Sequence, residues 1–262
     1  MEIIFLGDII GVQAMDEAIR FVQTDERIKK ANLHIANVEN VSGGFGLTEE
    51  NYNRLLKGGF GLFSGGNHLW DKKEIFNYIS KSKIARPCNL PSGTPGQGWQ
   101  ISIVNGVKVA LINVLGKAFM NINALDCPFR SCDRAIEEVS GQGAKVIIVD
   151  CHAEASAEKV ALAHYLDGRV SAVLGTHTHV PTADERLLPK GTAFITDVGP
   201  CASLHSVIGM SIESALPKFL TGLPSRFEVS KSKPIQINCV KITFDGGLKP
   251  SSIERISCTT SS

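Results

Sequence analysis

Two histidines separated by one residue, His177 and His179, follow the apolar run 169–174 and carry the most specific chemistry in the sequence. Imidazole is the commonest side-chain metal ligand near neutral pH. If a strand ends here in a turn, both rings can point into one cleft. Taken alone, the pair also fits a solvated turn, so its meaning depends on the rest of the chain.

Four other apolar runs end in side chains that can bind a metal ion. Their ends carry Asp8, then Glu39 and Asn40, then Asn67 with His68, and finally His152. In open α/β sheets, ligand sites lie beyond the carboxyl ends of the strands. We therefore expect these side chains to meet His177 and His179 in a single site.

The predicted ligands combine imidazoles, amide oxygens and carboxylates. This mixture suits iron, manganese or zinc better than magnesium, which prefers oxygen ligands alone. Seven ligands are too many for one such ion but suit two ions that share a carboxylate. Glu39 is placed to bridge them, because Asn40 can bind one ion from the same turn. His68 would point away from Asn67 on an extended backbone, which makes it a candidate general acid.

A formal charge count favours an anionic substrate. Two divalent ions bring four positive charges, and two carboxylates with a bridging hydroxide remove three, which leaves about one net positive charge. A phosphodiester anion would bind there, and paired ions can stabilise both the attacking and the leaving oxygen of an in-line displacement. Hydroxide held between two cations also forms near neutral pH.

The bulk properties fit a cytoplasmic enzyme. The 262 residues have a formal net charge of +1, which provides no overall field for nucleic acid or an acidic membrane. The seven cysteines are scattered and fit neither a disulfide framework nor a structural zinc site. The first residues resemble a β-strand more than a signal peptide, and no apolar run reaches the about 18 residues of a spanning helix.

The order of elements predicts an α/β sandwich of two mixed β-sheets flanked by helices. Strand and helix patterns alternate first and hairpins follow later in the chain. Helices are predicted over residues 72–80 and 133–140, and a strand over 169–174. Residues 1–258 are expected to form one domain, followed by a frayed tail at 259–262.

The motifs resemble those of calcineurin-like metallophosphoesterases. They are Gly7-Asp8, Gly66-Asn67-His68, a separate His152 and Gly175-Thr176-His177-Thr178-His179. The sequence departs from that superfamily in lacking a histidine after Asp8 and in having Glu39-Asn40 where Gly-Asp is usual. With these departures, the sequence is similar over nearly its whole length to the bacterial YmdB-like family.

This resemblance implies a di-iron phosphodiesterase that acts on 2′,3′-cyclic nucleotides, with a calcineurin-like fold and His68 as proton donor. One metal ion would be held by Asp8, Glu39, Asn40 and His179. The other would be held by Glu39, Asn67, His152 and His177. Manganese and zinc stay open as alternatives to iron.

Other functions and roles remain open from the sequence alone. The chain could be a regulatory nucleotide-binding protein with little turnover, a phosphomonoesterase or a nuclease acting on RNA ends, and it could form a homo-oligomer. Four further carboxylates could orient metal ligands or serve as caps and turns: Asp150, Glu154, Asp184 and Asp197. The loop 200–205 departs from the family pattern and is either a tolerated surface loop or a border of the nucleotide pocket, with His205 near the substrate.

Overall fold

The computed structural model describes residues 1–260, and within them the chain forms strands in the following order. They are β1 Glu2–Leu6, β2 Leu33–Asn37, β3 Leu62–Ser64, β4 Ile84–Ala85, β5 Trp99–Val104, β6 Val107–Leu115, β7 Val146–His152, β8 Ala172–Thr176, β9 Arg186–Leu187, β10 Ala193–Ile195, β11 Ala202–Ser203, β12 Ile235–Phe244 and β13 Pro250–Thr259.

Six α-helices connect or flank these strands in the described part of the chain. They are α1 Gly11–Thr24, α2 Glu49–Lys57, α3 Ile75–Tyr78, α4 Pro128–Gly141, α5 Ser156–Leu166 and α6 Ile212–Thr221. Short 3₁₀ turns lie at Leu69–Asp71 and Ile79–Lys81. Among residues 1–260, none of the helices has the length and apolar character needed to cross a membrane.

The strands form two mixed sheets. The first has the order β11-β12-β1-β2-β3-β4, with β13 paired to β12. The second has the order β5-β6-β7-β8-β10-β9. In the first sheet β1, β2, β3 and β4 run parallel up to one edge, and β12 pairs antiparallel with β1 on the other side. In the second sheet β6, β7, β8 and β10 run parallel, and β5 and β9 are antiparallel strands at the two edges. The predicted sandwich of two mixed sheets is confirmed.

Buried apolar side chains hold the two sheets together. Ile3 and Phe5 of β1 share a core with Leu111 of β6, Ile148 of β7 and Leu174 of β8. The outer face of the first sheet packs against α1, α2 and α3, and that of the second packs against α4 and α5. Strands with both faces covered read as continuous apolar runs, which is why the sequence marks β1 and β7 clearly.

The parallel strands bring the predicted ligands to one end of the sandwich. The polar residues that follow β1, β2 and β3 meet those that end β7 and follow β8, because all five strands present their carboxyl ends on the same side. Gly66 allows the chain after β3 to enter this space. A Cβ atom at Gly66 would collide with the Glu39 carboxylate and the His152 ring.

Three predicted elements have different bounds in the structure. The helix predicted over 72–80 is limited to α3 and a 3₁₀ turn, because Lys72 is extended and the preceding turn is closed by the bond between His68 and Asp71. Helix α4 begins five residues before the predicted start, with Pro128 in its first turn, where a fixed φ favours helix. Strand β8 spans 172–176, since Gly168 forms a left-handed turn just before it.

The ordered chain extends beyond residue 258. Thr259 is the last residue of β13, and the backbone N–H of Thr260 donates to the carbonyl of Ile235 at 2.9 Å. The rest of the predicted tail, Ser261 and Ser262, lies outside the described residues.

Candidate metal centre

All seven predicted ligands lie at the end of the sandwich where the parallel strands terminate. Asp8, Glu39, Asn40 and Asn67 come from loops after strands of the first sheet, and His152, His177 and His179 come from the second. Asp8, Glu39 and His152 are fully buried, and Asn40 is nearly so. The site thus lies between the two sheets, and each sheet contributes part of the ligand set.

Three other potential ligands converge around the Nε2 atom of His152. This atom lies 2.9 Å from Oε1 of Glu39, 3.1 Å from Oδ1 of Asn67 and 3.1 Å from Nδ1 of His177. One ring nitrogen can carry at most one proton, so it cannot donate to three acceptors at once. A cation between these atoms would satisfy all of them. The side chains of Glu39, His152 and His177 alone place ligand atoms within 4.8 Å of one another.

Asp8 lies close to two of the histidine rings. Its Oδ1 atom lies 3.6 Å from Nε2 of His179 and 3.8 Å from Nδ1 of His152. No hydrogen-bond donor among residues 1–260 reaches Oδ1 of Asp8, Oε1 of Glu39 or Oδ1 of Asn40, although all three atoms are buried. Buried acceptors without a donor are costly, so these oxygens fit a second cation.

The outward nitrogen of His152 is held by a buried relay. Its Nδ1 atom lies 2.9 Å from the Thr176 hydroxyl, which itself donates to Oδ1 of Asp150 at 2.6 Å. Since the threonine proton is used on Asp150, Nδ1 of His152 must donate to Thr176. With Nδ1 protonated, a metal ion that replaces the proton on Nε2 would bind the lone pair directed at the centre, as a metal ligand requires.

The other two imidazoles are oriented in the same way. Nε2 of His177 lies 3.2 Å from Oε2 of Glu154, and Nδ1 of His179 lies 3.2 Å from the Ile208 carbonyl. In each ring the outer nitrogen faces an acceptor, so the inner nitrogen is left with its lone pair. The three rings therefore direct three lone pairs inward.

The backbone between the histidines is left-handed. His177 has φ of 95° and His179 has φ of 57°, which non-glycine residues adopt at a cost. Thr178 between them is fixed by Asp197, whose Oδ2 accepts from its N–H at 3.1 Å and from its hydroxyl at 2.7 Å. The same oxygen accepts from Nζ of Lys159 at 2.7 Å, and both charged groups are buried. A buried ion pair thus holds the turn that aims both rings.

The electrostatics of the cluster favour positive charge. Burial opposes a charge on His152, but Glu39 and Asp8 outweigh burial and raise its pKa to about 9. Burial, followed by the charge of His152, lowers the pKa of His177 to about 3. Burial would raise the pKa of Glu39, yet His152 holds it below its usual value. The carboxylates of Asp8 and Glu39 stay ionised, and a divalent cation can supply the positive charge that balances them.

The donor set and its geometry fit divalent metal ions. The acceptors are oxygens and imidazole nitrogens, the oxygens lack other donors, and three rings have the tautomer that binding requires. The cluster of Glu39, His152 and His177 contains three of the four residues expected at one ion. The assignment of each residue to a particular ion stays a prediction.

His68 lies beside the centre and not among the converging ligands. Its backbone N–H donates to Oε2 of Glu39 at 2.7 Å, while its Nδ1 lies 2.9 Å from Oδ2 of Asp71. The backbone at His68 is not extended, as the sequence argument assumed, but turns into the 3₁₀ segment with φ of −91° and ψ of 0°. The ring is one-third exposed, lies edge-on to Phe45 and lines the same cavity as Glu39.

Three of the four additional carboxylates touch the site. Asp150 reaches His152 through Thr176, Glu154 faces His177, and Asp197 holds Thr178. Asp184 instead binds Thr182, Thr196 and Arg186, away from the ligands. Sequence reasoning missed Lys159, because a lysine in a helix is usually exposed, and the carbonyl of Ile208, because backbone contacts have no residue-type signal.

A cavity of about 320 Å³ opens beside the centre. Its polar end is formed by Glu39, Asn40, His68, His177 and His179, together with Glu154 and Thr178. Its other end is apolar and includes residues from the segment 207–227. The cavity is thus large enough for a small organic anion and has one end suited to charge.

The loop 200–205 contributes less to the cavity than its unusual sequence suggested. Ala202 and Ser203 form β11 and pair with β12, and Ala202 is buried. His205 is exposed and does not line the cavity, whereas Val207 and Ile208, just after the loop, do. The proposed effect of His205 on the substrate has no support in this geometry.

The YmdB-like protein family matches residues 4–256 of the sequence. The chain belongs to this family. It is 43% identical over 257 residues to the 2′,3′-cyclic-nucleotide 2′-phosphodiesterase of Bacillus subtilis (strain 168), across 98% of this chain and 96% of that protein. The family predicted from the motifs is confirmed.

Solved structures show the same fold over nearly the whole chain. The crystal structure of a novel phosphatase from Mycoplasma pneumoniae has a TM-score of 0.91 and 34% identity, covering 99% of this chain and 93% of that one. A hypothetical protein from Thermus thermophilus has a TM-score of 0.90 and 40% identity, with 99% of both chains covered. An NAD nucleotidase from Haemophilus influenzae (TM-score 0.59, 14% identity, 99% of this chain and 56% of that one) shares the fold alone.

Proposed function

We propose that this protein is a metal-dependent phosphodiesterase that hydrolyses 2′,3′-cyclic nucleotides at a dinuclear centre. The observation that carries the proposal is the set of buried acceptor atoms around Nε2 of His152. Bound cations would satisfy these atoms, whereas a single proton on Nε2 cannot. The Bacillus subtilis relative, which acts on 2′,3′-cyclic nucleotides by its name, supports this substrate class.

One ion would be held by Asp8, Glu39, Asn40 and His179, and the other by Glu39, Asn67, His152 and His177. Glu39 would serve both ions, since it is fully buried and its Oε1, 2.9 Å from Nε2 of His152, has no hydrogen-bond donor among residues 1–260. Bound divalent ions would activate water and neutralise charge on the phosphoryl oxygens. Iron is the ion we propose first, because the resemblance to the YmdB-like family implies it and the mixed oxygen and nitrogen ligands suit first-row metals in general.

His68 would donate a proton to the leaving ribose oxygen. Its Nδ1 atom is taken by Asp71, so its other ring nitrogen is available toward the cavity. Asp71 also fixes the ring in place, as a proton donor requires. The Phe45 ring also packs against the imidazole of His68, with the two ring centroids 4.8 Å apart.

The remaining residues orient the site. The relay from His152 through Thr176 to Asp150 keeps the ring in one tautomer, and Lys159 with Asp197 keeps His177 and His179 turned inward. A substrate with one negative charge suits a site whose net charge with two ions and a hydroxide is about +1. The polar end of the cavity is where the cyclic phosphate would lie.

The test is a comparison of substrates on protein loaded with iron, manganese or zinc. We expect rapid hydrolysis of 2′,3′-cyclic nucleotides and much slower hydrolysis of 3′,5′-cyclic nucleotides, of phosphomonoesters and of short RNA. Glu39→Gln should remove hydrolysis of all of them, while Glu213→Gln, at an exposed position on α6, should leave it unchanged. Binding of cyclic nucleotides without turnover would indicate a regulatory protein instead.

A further inference from the structure

The cavity beside the metal centre has an apolar end that chemistry at phosphorus does not require. Its side chains include Phe45, Val207, Met210, Phe219 and Phe227. A cavity that served inorganic phosphate alone would need only the polar end. The apolar end therefore points to an additional, uncharged part of the ligand.

Phe219 differs from the other aromatic residues of this wall. Phe45 and Phe227 pack with Met210 against a small buried cluster beneath the wall. Phe219, on α6, keeps 72% of its surface exposed although it lines the same cavity. When a flat apolar ligand covers an exposed apolar ring beside a ligand site, both surfaces leave water, and this favours binding.

We propose that Phe219 binds the base of the nucleotide by stacking, and this proposal rests on the function proposed above. In a 2′,3′-cyclic nucleotide the base and the phosphate are attached to the same ribose. A substrate bound by its phosphate at the metal centre must place its base within one ribose of it. Phe219 lines the same cavity as His68 and His179, so we assign the base to the apolar part of this lining.

The chemistry of the wall also determines which bases it prefers. Phenylalanine, valine and methionine side chains offer no strong hydrogen-bonding groups for a base edge. Stacking depends on the area of the ring, so purines should bind better than pyrimidines, with little difference between adenine and guanine.

Phe219→Ala tests this assignment, and Leu220→Ala is the matched control. Leu220 is the next residue of α6 and is 75% exposed, but it does not line the cavity. Three substrates should be compared: 2′,3′-cyclic AMP, 2′,3′-cyclic CMP and the 2′,3′-cyclic phosphate of methyl riboside, which has no base.

We expect Phe219→Ala to lower kcat/KM for 2′,3′-cyclic AMP about tenfold, mainly through KM. The loss should be smaller for 2′,3′-cyclic CMP and absent for the substrate without a base. Phe219→Trp should retain or improve binding of 2′,3′-cyclic AMP, and Leu220→Ala should match the unchanged protein.

Equal losses on all three substrates, or an unchanged KM for 2′,3′-cyclic AMP, would overturn the assignment. It would also fail if Phe219→Ala and Leu220→Ala both changed the oligomeric state measured in solution. In that case α6 would be covered by a second copy of the chain. If the unchanged protein hydrolysed none of the three substrates, the proposed function would be contradicted, and not the base site specifically.

Discussion

Lys159 acts on the histidine pair without touching either ring. Its ammonium group and the Asp197 carboxylate are both buried, and the same carboxylate oxygen holds Thr178 between His177 and His179. A buried ion pair offsets the cost of its desolvation only when both charged groups also have their hydrogen-bond partners. Here the pair closes a strained turn, so its loss should affect metal binding as well as folding.

We expect Lys159→Met to lower the free energy of unfolding by about 3–5 kcal/mol, because it leaves Asp197 charged and unpaired. Metal affinity, measured by titration with a chelator, should fall too. Lys190→Met, at an exposed position, should change neither. The double variant Lys159→Met with Asp197→Leu should recover only part of the stability, because Thr178 and Gly199 lose their acceptor, and it should not recover the affinity. Full recovery of both would make the pair purely structural.

A change of leaving group tests the role of His68. His68→Ala should slow hydrolysis of 2′,3′-cyclic nucleotides by about 10²–10⁴-fold, the usual effect of a general acid, while the metal content stays the same. A p-nitrophenyl phosphodiester has a leaving group that needs no proton, so most of the defect should disappear with it. Equal losses on both kinds of substrate would instead assign His68 a positioning role.

At the scale of residues, the sequence indicates which side chains meet at the site but not which groups hold them in place. The seven proposed ligands could be selected because potential metal-binding side chains follow apolar runs. The relay through Thr176 and the buried state of Lys159 could not, because both depend on which elements pack together. The left-handed backbone at His177 was also beyond prediction, since β-strand ends seldom carry it without glycine.

At the scale of elements, the segment after His179 is fastened to β10 by Asp184. Its Oδ1 atom accepts from the Thr182 hydroxyl at 2.7 Å and from the N–H of Thr196 at 3.0 Å. Arg186 lies 3.2 Å from Oδ2 of the same carboxylate. These bonds fix the loop that leads away from the histidine pair.

The stability contributed by Asp184 should depend on pH. Burial would raise the pKa of Asp184, but bonds from Thr196 and Thr182 hold it below the usual 3.8. A lowered folded-state pKa means that the stabilisation is complete above the unfolded-state pKa and is lost as the pH falls through the folded value. Asp184→Asn should therefore lower the urea midpoint at pH 7 and have a smaller effect at about pH 3.

The exposed substitution Glu213→Gln is the control for this measurement, and its effect should be small at both values of pH. A difference between Asp184→Asn and the unchanged protein that stayed constant across this pH range would show that the charge of Asp184 does not matter.

Long apolar strands and the Asn105-Gly106 hairpin were predictable as elements, because their patterns are local. The two-residue strands β4, β9 and β11 were not, since they exist only through pairing with neighbours in the sheet. The helix predicted over 72–80 is shorter in the structure, where α3 begins at Ile75 and ends in a 3₁₀ turn. Its predicted first residue, Lys72, has an extended backbone.

At the scale of the whole molecule, two sheets share one core and hold the two halves of the site. The proposed metal ligands come from both sheets, so they meet only when the sheets are packed together. We therefore propose that residues 1–258 form one cooperative domain. The two tryptophans offer a test, because Trp70 packs against the core outside the first sheet and Trp99 against the core outside the second.

In single-tryptophan variants, Trp70→Phe and Trp99→Phe, the fluorescence transitions in urea should coincide with each other and with loss of the circular-dichroism signal. Each substitution shifts stability slightly, so each fluorescence curve should be compared with circular dichroism of the same variant. Fluorescence of Trp99 that changed well before or after the circular-dichroism signal would divide the chain into two units.

The metal content of active protein tests the central claim most directly. Metal per chain should be measured by mass spectrometry on protein titrated with iron, manganese or zinc, with hydrolysis of 2′,3′-cyclic AMP followed on the same samples. We expect activity to rise to its maximum at two ions per chain, and Asn67→Ala to retain only one. Full activity at one ion per chain, or after complete removal of metal, would contradict the dinuclear phosphodiesterase proposed here.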